Sequence, residues 1–420
     1  MNARSLTCFM VFAVCSACKE PKPPLPAEIE AAAALSPVMD PTTALLPAPK
    51  FTAKDSARGY ALPGGCKLAL PIQETELPEN AEFTAADGAL DELAIATPAP
   101  EHRTRVRTRG WIDFSQGSTR DLPWMDLGAP PALARTRDFW LAAQVERDQA
   151  GADRARLWQQ GKAGGTFASG DRLAAADAIC NGKRCAVLTT LARLNLAPGA
   201  TVFAGSADQP ASSWQRVDIE ARADEAFRPF SILELAPDTV RGSLALVSPA
   251  SVAIWDFTER GAKERAQEVA PFGVFDIVNG AEPLLVMPGA RPDGPCAEDR
   301  FPLRFAAFGN PGSSIDVQTP PRSLAARKVP GGALVVWVAP VSCRNKQRKI
   351  VYAVLVRPDG GVIGTPMSVA DASGFALATK DDRVSLWLRT ERGLTWLKAR
   401  CSAEGSDAAD PARRAQDAAR

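Results

Sequence analysis

The sequence predicts an all-β fold, a seven-bladed β-propeller with four-stranded blades, closed by an N-terminal strand that completes the last blade. Two observations carry most of that prediction. Seven short aromatic motifs recur, RGWIDFSQG, ARLWQQGKAG, TVFAGSADQ, AIWDFTERG, LRFAAFGNPG, VYAVLVRPDGG and LTWLKARCSAEG, each an apolar or alternating run that ends in a glycine-bearing turn. Their anchors, Trp111, Trp158, Phe203, Trp255, Phe305, Tyr352 and Trp396, stand 44 to 52 residues apart. Almost no helical periodicity separates them, and a repeat of that length built from strands and turns is the pattern of a ring of four-stranded units.

The third observation concerns the ends of the repeat region. Each anchor motif reads as the third strand of its unit, and the sixth unit is the clearest: SLAARKV, ALVVWVAP, KIVYAVLVR, the Asp359-Gly360 turn and VIGTPMSV. An Asp-Gly pair between apolar runs is a strong hairpin signal. The seventh unit supplies GFALATK, RVSLWLRT and LTWLKAR, then stops one strand short. KLALPIQ, Lys67 to Gln73, is the strand available at the other end; set beside Leu394 to Arg400 it closes the ring and removes an exposed sheet edge. Cys66 begins that strand and Cys401 ends its neighbour, so a disulfide between them replaces the missing hairpin turn.

Charge excludes some partners. The 420 residues carry 49 Lys plus Arg against 48 Asp plus Glu, so no global field favours nucleic acid, and none is expected as a partner. Hydrophobic residues make up 46% of the chain, enough for a sizeable core.

Residues 1–18 read as an export signal: Arg4, an apolar stretch from Leu6 to Val14 too short to span a bilayer, then Ser16-Ala17 before Cys18. The run CSAC resembles a bacterial lipobox, which implies lipidation of Cys18 and attachment to a membrane. Cys15 departs from the leucine common at its place, which leaves open ordinary cleavage after Ala17 and periplasmic or secreted release. Lys19, in place of an aspartate retention signal, implies by the same resemblance the outer membrane or cell surface. Residues 19–65, rich in Pro and Ala, read as an extended tether, with a short helix over Ala27 to Leu35 as an option; 66–401 is the propeller; 402–420 is a disordered tail.

Of nine cysteines, Cys8 and Cys15 leave with the signal and Cys18 takes lipid, so Cys66, Cys180, Cys185, Cys296, Cys343 and Cys401 remain, an even number that suits an oxidising compartment. Cys180 and Cys185 flank the turn Asn181 to Arg184 and suit a hairpin staple. Cys296 and Cys343 fall in matching loops of two successive units, between second and third strands, which favours pairing them. A metal site is a poor alternative with one histidine and no paired CxxC. No metal or cofactor is expected.

Candidate sites are sparse. His102, the single histidine, reads as a loop residue, which leaves no basis for a serine-histidine-acid triad. Arg103, Arg105, Arg107 and Arg109 alternate along one strand face and favour pairing with Glu74, Glu76, Glu79 and Glu82 over a polyanion. The tryptophans recur on second and third strands, as packing between units requires. SADQPASSW, Ser206 to Trp214, resembles the Asp-box of sialidase-like propellers in Ser206 and Asp208, but it has Pro210 where that motif has glycine, and Trp214 comes one residue late. The binding candidate is the loop pair around Cys296 and Cys343: Arg291, Asp293 and Arg300 in one, with Glu298 and Asp299, and Arg344, Lys346, Arg348 and Lys349 in the other.

The span Cys66 to Cys401 resembles the broad class of bacterial exported seven-bladed propellers, many of them lipoproteins. That resemblance implies a cell-envelope lipoprotein, not an enzyme, whose ring binds an envelope protein, peptide or surface polymer through one rim. The rival is an extracellular glycan-active hydrolase or lyase, which needs two acidic groups set across a substrate in a cleft.

Overall fold

The computed structural model describes residues 51–404 except 55–57, 76–84, 88–91, 100–102, 111–118, 124–130, 136–139, 148–152, 160–161, 171–172, 192–198, 221–226, 270–272, 290–300, 343–344 and 392. All described residues belong to one unit, Leu45–Arg420. They are all-β: the one helical element among them is a 3-10 turn, Ala211–Ser213.

Six antiparallel sheets have four strands each, in simple up-and-down order. The first holds Ala85–Asp87, Glu92–Ala99, Arg103–Gly110 and Thr119–Pro123; the second Ala132–Arg135, Trp140–Arg147, Asp153–Gln159 and Lys162–Gly170. The third holds Ala175–Asn181, Arg184–Thr190, Ala200–Ser206 and Gln215–Ile219; the fourth Arg228–Leu235, Arg241–Val247, Ser251–Thr258 and Gly261–Val269. The fifth is Asp276–Val278, Leu284–Pro288, Phe301–Ala307 and Ser313–Val317; the sixth Ser323–Val329, Gly332–Pro340, Lys349–Val356 and Val362–Asp371. Every described anchor residue sits on a third strand, as its motif requires; Trp111 lies outside the described residues.

The seventh sheet has five strands, not four. Gly374–Lys380, Arg383–Thr390 and Gly393–Cys401 are joined by Cys66–Thr75, and Phe51–Lys54 pairs beyond it. Cys66 and Cys401 are register partners in an antiparallel pair and form a disulfide across 335 residues. Phe51–Lys54 falls inside the span read as tether. A four-residue run without alternation gives no strand signal on its own, yet it covers the edge that Cys66–Thr75 otherwise presents. Tyr60 and Leu62 pack on the core between the sixth and seventh sheets, so the ordered region begins before residue 66. It also runs past residue 401: the Ser402 N–H donates to Gly65 O and the Ala403 N–H to Pro330 O, and Ala403 is buried.

The core lies between sheets stacked face to face. Ala143 and Leu157 of the second sheet meet Val187 and Phe203 of the third; Leu188 and Val202 meet Phe227 and Leu244 of the fourth. Ala245 and Ile254 meet Ile277 and Leu285 of the fifth, Val286 and Phe305 meet Val335 and Val354 of the sixth, and Val336 and Leu355 meet Leu377 and Leu397 of the seventh. This stacking explains why GALVVWVAP is apolar without alternation: a second strand is covered on both faces, and eight of its nine residues are buried. The outermost strand Gly261–Val269 alternates intermediate and exposed residues because only one face is covered. Each fully buried Leu, Ile or Val contributes about 1.5–3 kcal/mol.

Successive first strands lie side by side from the first sheet to the fourth and from the fifth to the seventh, and Gly374–Lys380 of the seventh lies beside Ala85–Asp87 of the first. Carboxylates tie two of these seams. Asp177 Oδ2 accepts from the Ile232 N–H at 2.7 Å, and Asp276 Oδ2 from the Ala326 N–H at 2.8 Å. Each also accepts, through Oδ1, the N–H of the residue that follows it.

Candidate functional site

In an up-and-down sheet, the turns joining strands one to two and three to four share one face of the stack, and the loops joining strands two to three share the other. A cleft of about 780 Å³ opens on the first of these faces. Its walls are the inner turns of the last three sheets: Asn279 to Glu282 of the fifth, Lys328 to Gly332 of the sixth, and Thr379 and Asp381 of the seventh, with Pro358 at the side.

Each wall is held from behind. The Asn279 amide donates to Glu234 Oε2 at 2.6 Å and Ser243 Oγ at 3.0 Å and accepts from Arg265, whose guanidinium also donates to Gly280 O at 3.2 Å. The sixth-sheet turn needs Gly331 at φ +74, and a Cβ there meets the Glu404 side chain at 2.3 Å; the Ala403 N–H bonds the preceding Pro330 carbonyl. Asp381 adopts φ 55 in the two-residue turn of the seventh sheet, a conformation aspartate tolerates. Its neighbour Asp382 pairs with Arg400 at 3.1 Å, and the Asp382 carbonyl accepts from the Cys401 N–H at 2.7 Å.

Charged groups next to the cleft are therefore consumed by structure: Glu234, Arg265, Asp276 with Arg327, and Asp382 with Arg400. Glu282, Lys328 and Asp381, which line it, pair with no described residue. The cleft thus offers two carboxylates and one ammonium, supplied by three consecutive sheets, over a floor that includes Val278, Leu284, Val329 and Ala333. Among the described residues no aromatic side chain lines it.

The loop pair singled out from the sequence joins second to third strands, Leu284–Pro288 to Phe301–Ala307 and Gly332–Pro340 to Lys349–Val356. Arg291, Asp293, Cys296, Glu298, Asp299, Arg300, Cys343 and Arg344 lie outside the described residues, as do Cys18 and His102. Of the rest, Lys346 is exposed and Lys349 opens a strand opposite Pro340. Arg348 is engaged with Asp371, donating from Nη2 at 2.7 Å and Nε at 3.1 Å. Tyr352 lies close by and stacks on Trp337 with ring centroids 5.6 Å apart. Burial, and then the Asp371 carboxylate, push its hydroxyl above the ordinary tyrosine range, with Arg348 opposing.

The arginine strand is the third strand of the first sheet. Glu74 accepts from the Tyr60 hydroxyl at 2.8 Å, and Glu76, Glu79 and Glu82 lie outside the described residues. Trp140, Trp337, Trp387 and Trp396 are buried between sheets. Cys180 and Cys185 are register partners and form a disulfide across the Gly182-Lys183 turn. Ser206 to Trp214 links the third and fourth strands of that same sheet: Ser206 Oγ donates to Asp208, Lys183 stands 3.6 Å from Asp208, and Trp214 Nε1 donates back to Ser206 O at 3.2 Å. The Ser206 hydrogen bond holds the Asp208 carboxyl below its ordinary range, with Lys183 adding to the effect. The segment is a satisfied turn, with Asp208 committed inside it.

No family model and no curated protein matches the sequence. Solved structures do match in fold. A subtype N11 neuraminidase-like protein of A/flat-faced bat/Peru/033/2010 (H18N11) is 11% identical over 86% of this chain and 98% of its own, with a TM-score of 0.40. The β-propeller domain of the Trilobed protease from Pyrococcus furiosus, described as having an open velcro topology, is 9% identical over 75% and 94%, with a TM-score of 0.41. Trypanosoma rangeli sialidase, of which the chain spans 60%, is 8% identical over 85% of this chain, with a TM-score of 0.36. The expectation that the chain is not an enzyme is corrected by these neighbours, since neuraminidase-like and sialidase proteins are among them. No residue role is transferred from any of them.

Proposed function

We propose that the chain is an exported, lipid-anchored cell-envelope protein whose seven sheets form a seven-bladed β-propeller closed by Cys66–Thr75, and that the ring is a binding module for an envelope protein, peptide or polymer. The observation that carries this reading is the meeting of the first and last strands in one sheet, with Cys66 bonded to Cys401. A second disulfide, Cys180 to Cys185, joins a hairpin. Paired thiols of this kind belong to oxidising compartments, which supports export and, with it, the signal-like segment and the anchor at Cys18. The cleft is the binding surface because its walls are pre-set and its charges are unspent; preorganised walls lower the entropic cost of binding.

Intact and proteolytic mass spectrometry of unreduced protein from membranes tests the reading. Acylated Cys18 together with a Cys66–Cys401 peptide is the expected result. Unmodified Cys18 in the membrane-free fraction overturns the anchor, and free Cys66 and Cys401 overturn the closure.

A second reading is favoured by one observation: Glu282 and Asp381 are two carboxylates on a single cleft lining. A glycan-active hydrolase needs such a pair. Release of reducing ends from envelope polysaccharide, lost in both Glu282→Gln and Asp381→Asn, is its test.

A further inference from the structure

We infer that the cleft takes an extended peptide segment bearing a basic side chain, a conclusion that rests on the binding-module reading and names its ligand class. Three features of the cleft point there together. Its charge is unbalanced toward acid, with Glu282 and Asp381 against Lys328, and no described residue neutralises any of the three. A guanidinium or ammonium is the group that two open carboxylates recognise, and guanidinium does so with paired hydrogen bonds. The single ammonium of Lys328 comes from the end of strand Ser323–Val329, on the sheet between the two that supply the carboxylates, available to a peptide carbonyl or carboxylate.

The lining also discriminates. Sugar rings and nucleobases are gripped chiefly by stacking on aromatic faces, and no Trp, Tyr or Phe among the described residues lines this cleft. Instead the walls are narrow turns rich in glycine and proline, Gly280, Pro330, Gly331, Gly332 and Pro358, which bring main chain rather than bulky side chains to the ligand. Such walls suit an extended chain that offers its own amides to exposed peptide groups.

The contrast between spent and unspent charge is the strongest point. Around the same turns Asn279, Arg265, Asp276 and Asp382 are all engaged in fixing the walls. Glu282, Lys328 and Asp381 line the opening with no described partner, on walls whose supporting contacts are in place before ligand arrives.

Fluorescence anisotropy on the full-length protein tests this with a labelled ten-residue peptide carrying two adjacent arginines in an alanine-glycine frame, beside the same peptide with citrulline in place of both arginines. Binding of the arginine peptide is expected to weaken about 10-fold or more in the Glu282→Gln, Asp381→Asn double variant and to strengthen in Lys328→Glu, as expected when complementary charge is removed or added at the cleft. Asn keeps the left-handed turn at 381, and an intact Cys66–Cys401 peptide confirms that each variant folds. Equal binding of the citrulline peptide, or indifference to the double variant, overturns the inference. Direct binding of a labelled chitotetraose or hexuronate oligosaccharide, with no arginine-peptide binding, overturns it in favour of a glycan site. These outcomes leave the anchor and the ring untouched, because those stand or fall on the mass spectra.

Discussion

Asp276 reaches across the seam between the fifth and sixth sheets to accept the backbone N–H of Ala326. Asp177 does the same for Ile232 between the third and fourth. Both carboxylates stand on first strands, where neighbouring sheets come together edge to edge without sharing a ladder. A backbone N–H on such a strand has no sheet partner on that side, and the carboxylate supplies one.

Replacing Asp276 with Ala strands that N–H and also removes one contact of Arg327, which the same Oδ2 holds at 2.8 Å. The expected loss is about 1–3 kcal/mol of unfolding free energy, measured by denaturant titration. Asn, which keeps an acceptor oxygen, should cost less than Ala.

Reducing or removing the Cys66–Cys401 bond, by Cys66→Ser with Cys401→Ser, releases a crosslink between residues 335 positions apart. The chain-entropy argument gives a destabilisation of about 3 to 5 kcal/mol. The equivalent Cys180→Ser, Cys185→Ser pair closes a separation of only 5 and should cost clearly less in the same thermal melt.

Tyr352 sets an alkaline limit. Its folded-state hydroxyl titrates above the ordinary value because burial and Asp371 disfavour the phenolate. Stability from this group is complete below the unfolded tyrosine value near 10 and is lost as pH rises from there through the raised folded value. The chain has two tyrosines, so ultraviolet titration of Tyr60→Phe isolates the Tyr352 transition. Asp371→Asn should lower its midpoint, and a midpoint at or below the free-tyrosine value contradicts the account.

Gly205→Ala tests the Trp214 turn. A Cβ at residue 205 falls 2.3 Å from the Trp214 ring, which must then leave its place and its bond to Ser206 O. The expected cost is about 1–3 kcal/mol, read together with a red shift of tryptophan emission.

The repeat was legible because third strands bury large aromatics: Trp158, Phe203, Phe305 and Trp396 mark their sheets at nearly even intervals. Hairpins with Gly at their tips, such as Asn181 to Arg184, were legible for the same local reason. Phe51–Lys54 was not, since a short strand paired to one neighbour takes its conformation from that neighbour. Ala403 and Glu404 were also missed, because small and charged residues give no burial signal until Gly65 and Pro330 come into reach.

The cleft escaped sequence reading for a different reason. Glu282, Lys328 and Asp381 lie about one repeat apart, at or just after the ends of first strands, and only the stacking of sheets gathers them. Attention to cysteines led instead to the loops that join second to third strands. Superposing the ends of the first strands and the turns that follow them is the signal available, since Lys328 ends such a strand and Glu282 and Asp381 stand in such turns of the neighbouring units.

Both ends of the ordered chain enter one sheet, and this decides how force passes through the molecule. Tension applied upstream of residue 58 loads Cys66–Thr75 along its length, in shear against Gly393–Cys401, with the Cys66–Cys401 bond in parallel. The six other sheets lie outside that load path. A pull from upstream is therefore borne by a single covalently stapled strand pair, and the cleft walls supplied by the fifth and sixth sheets lie off its path.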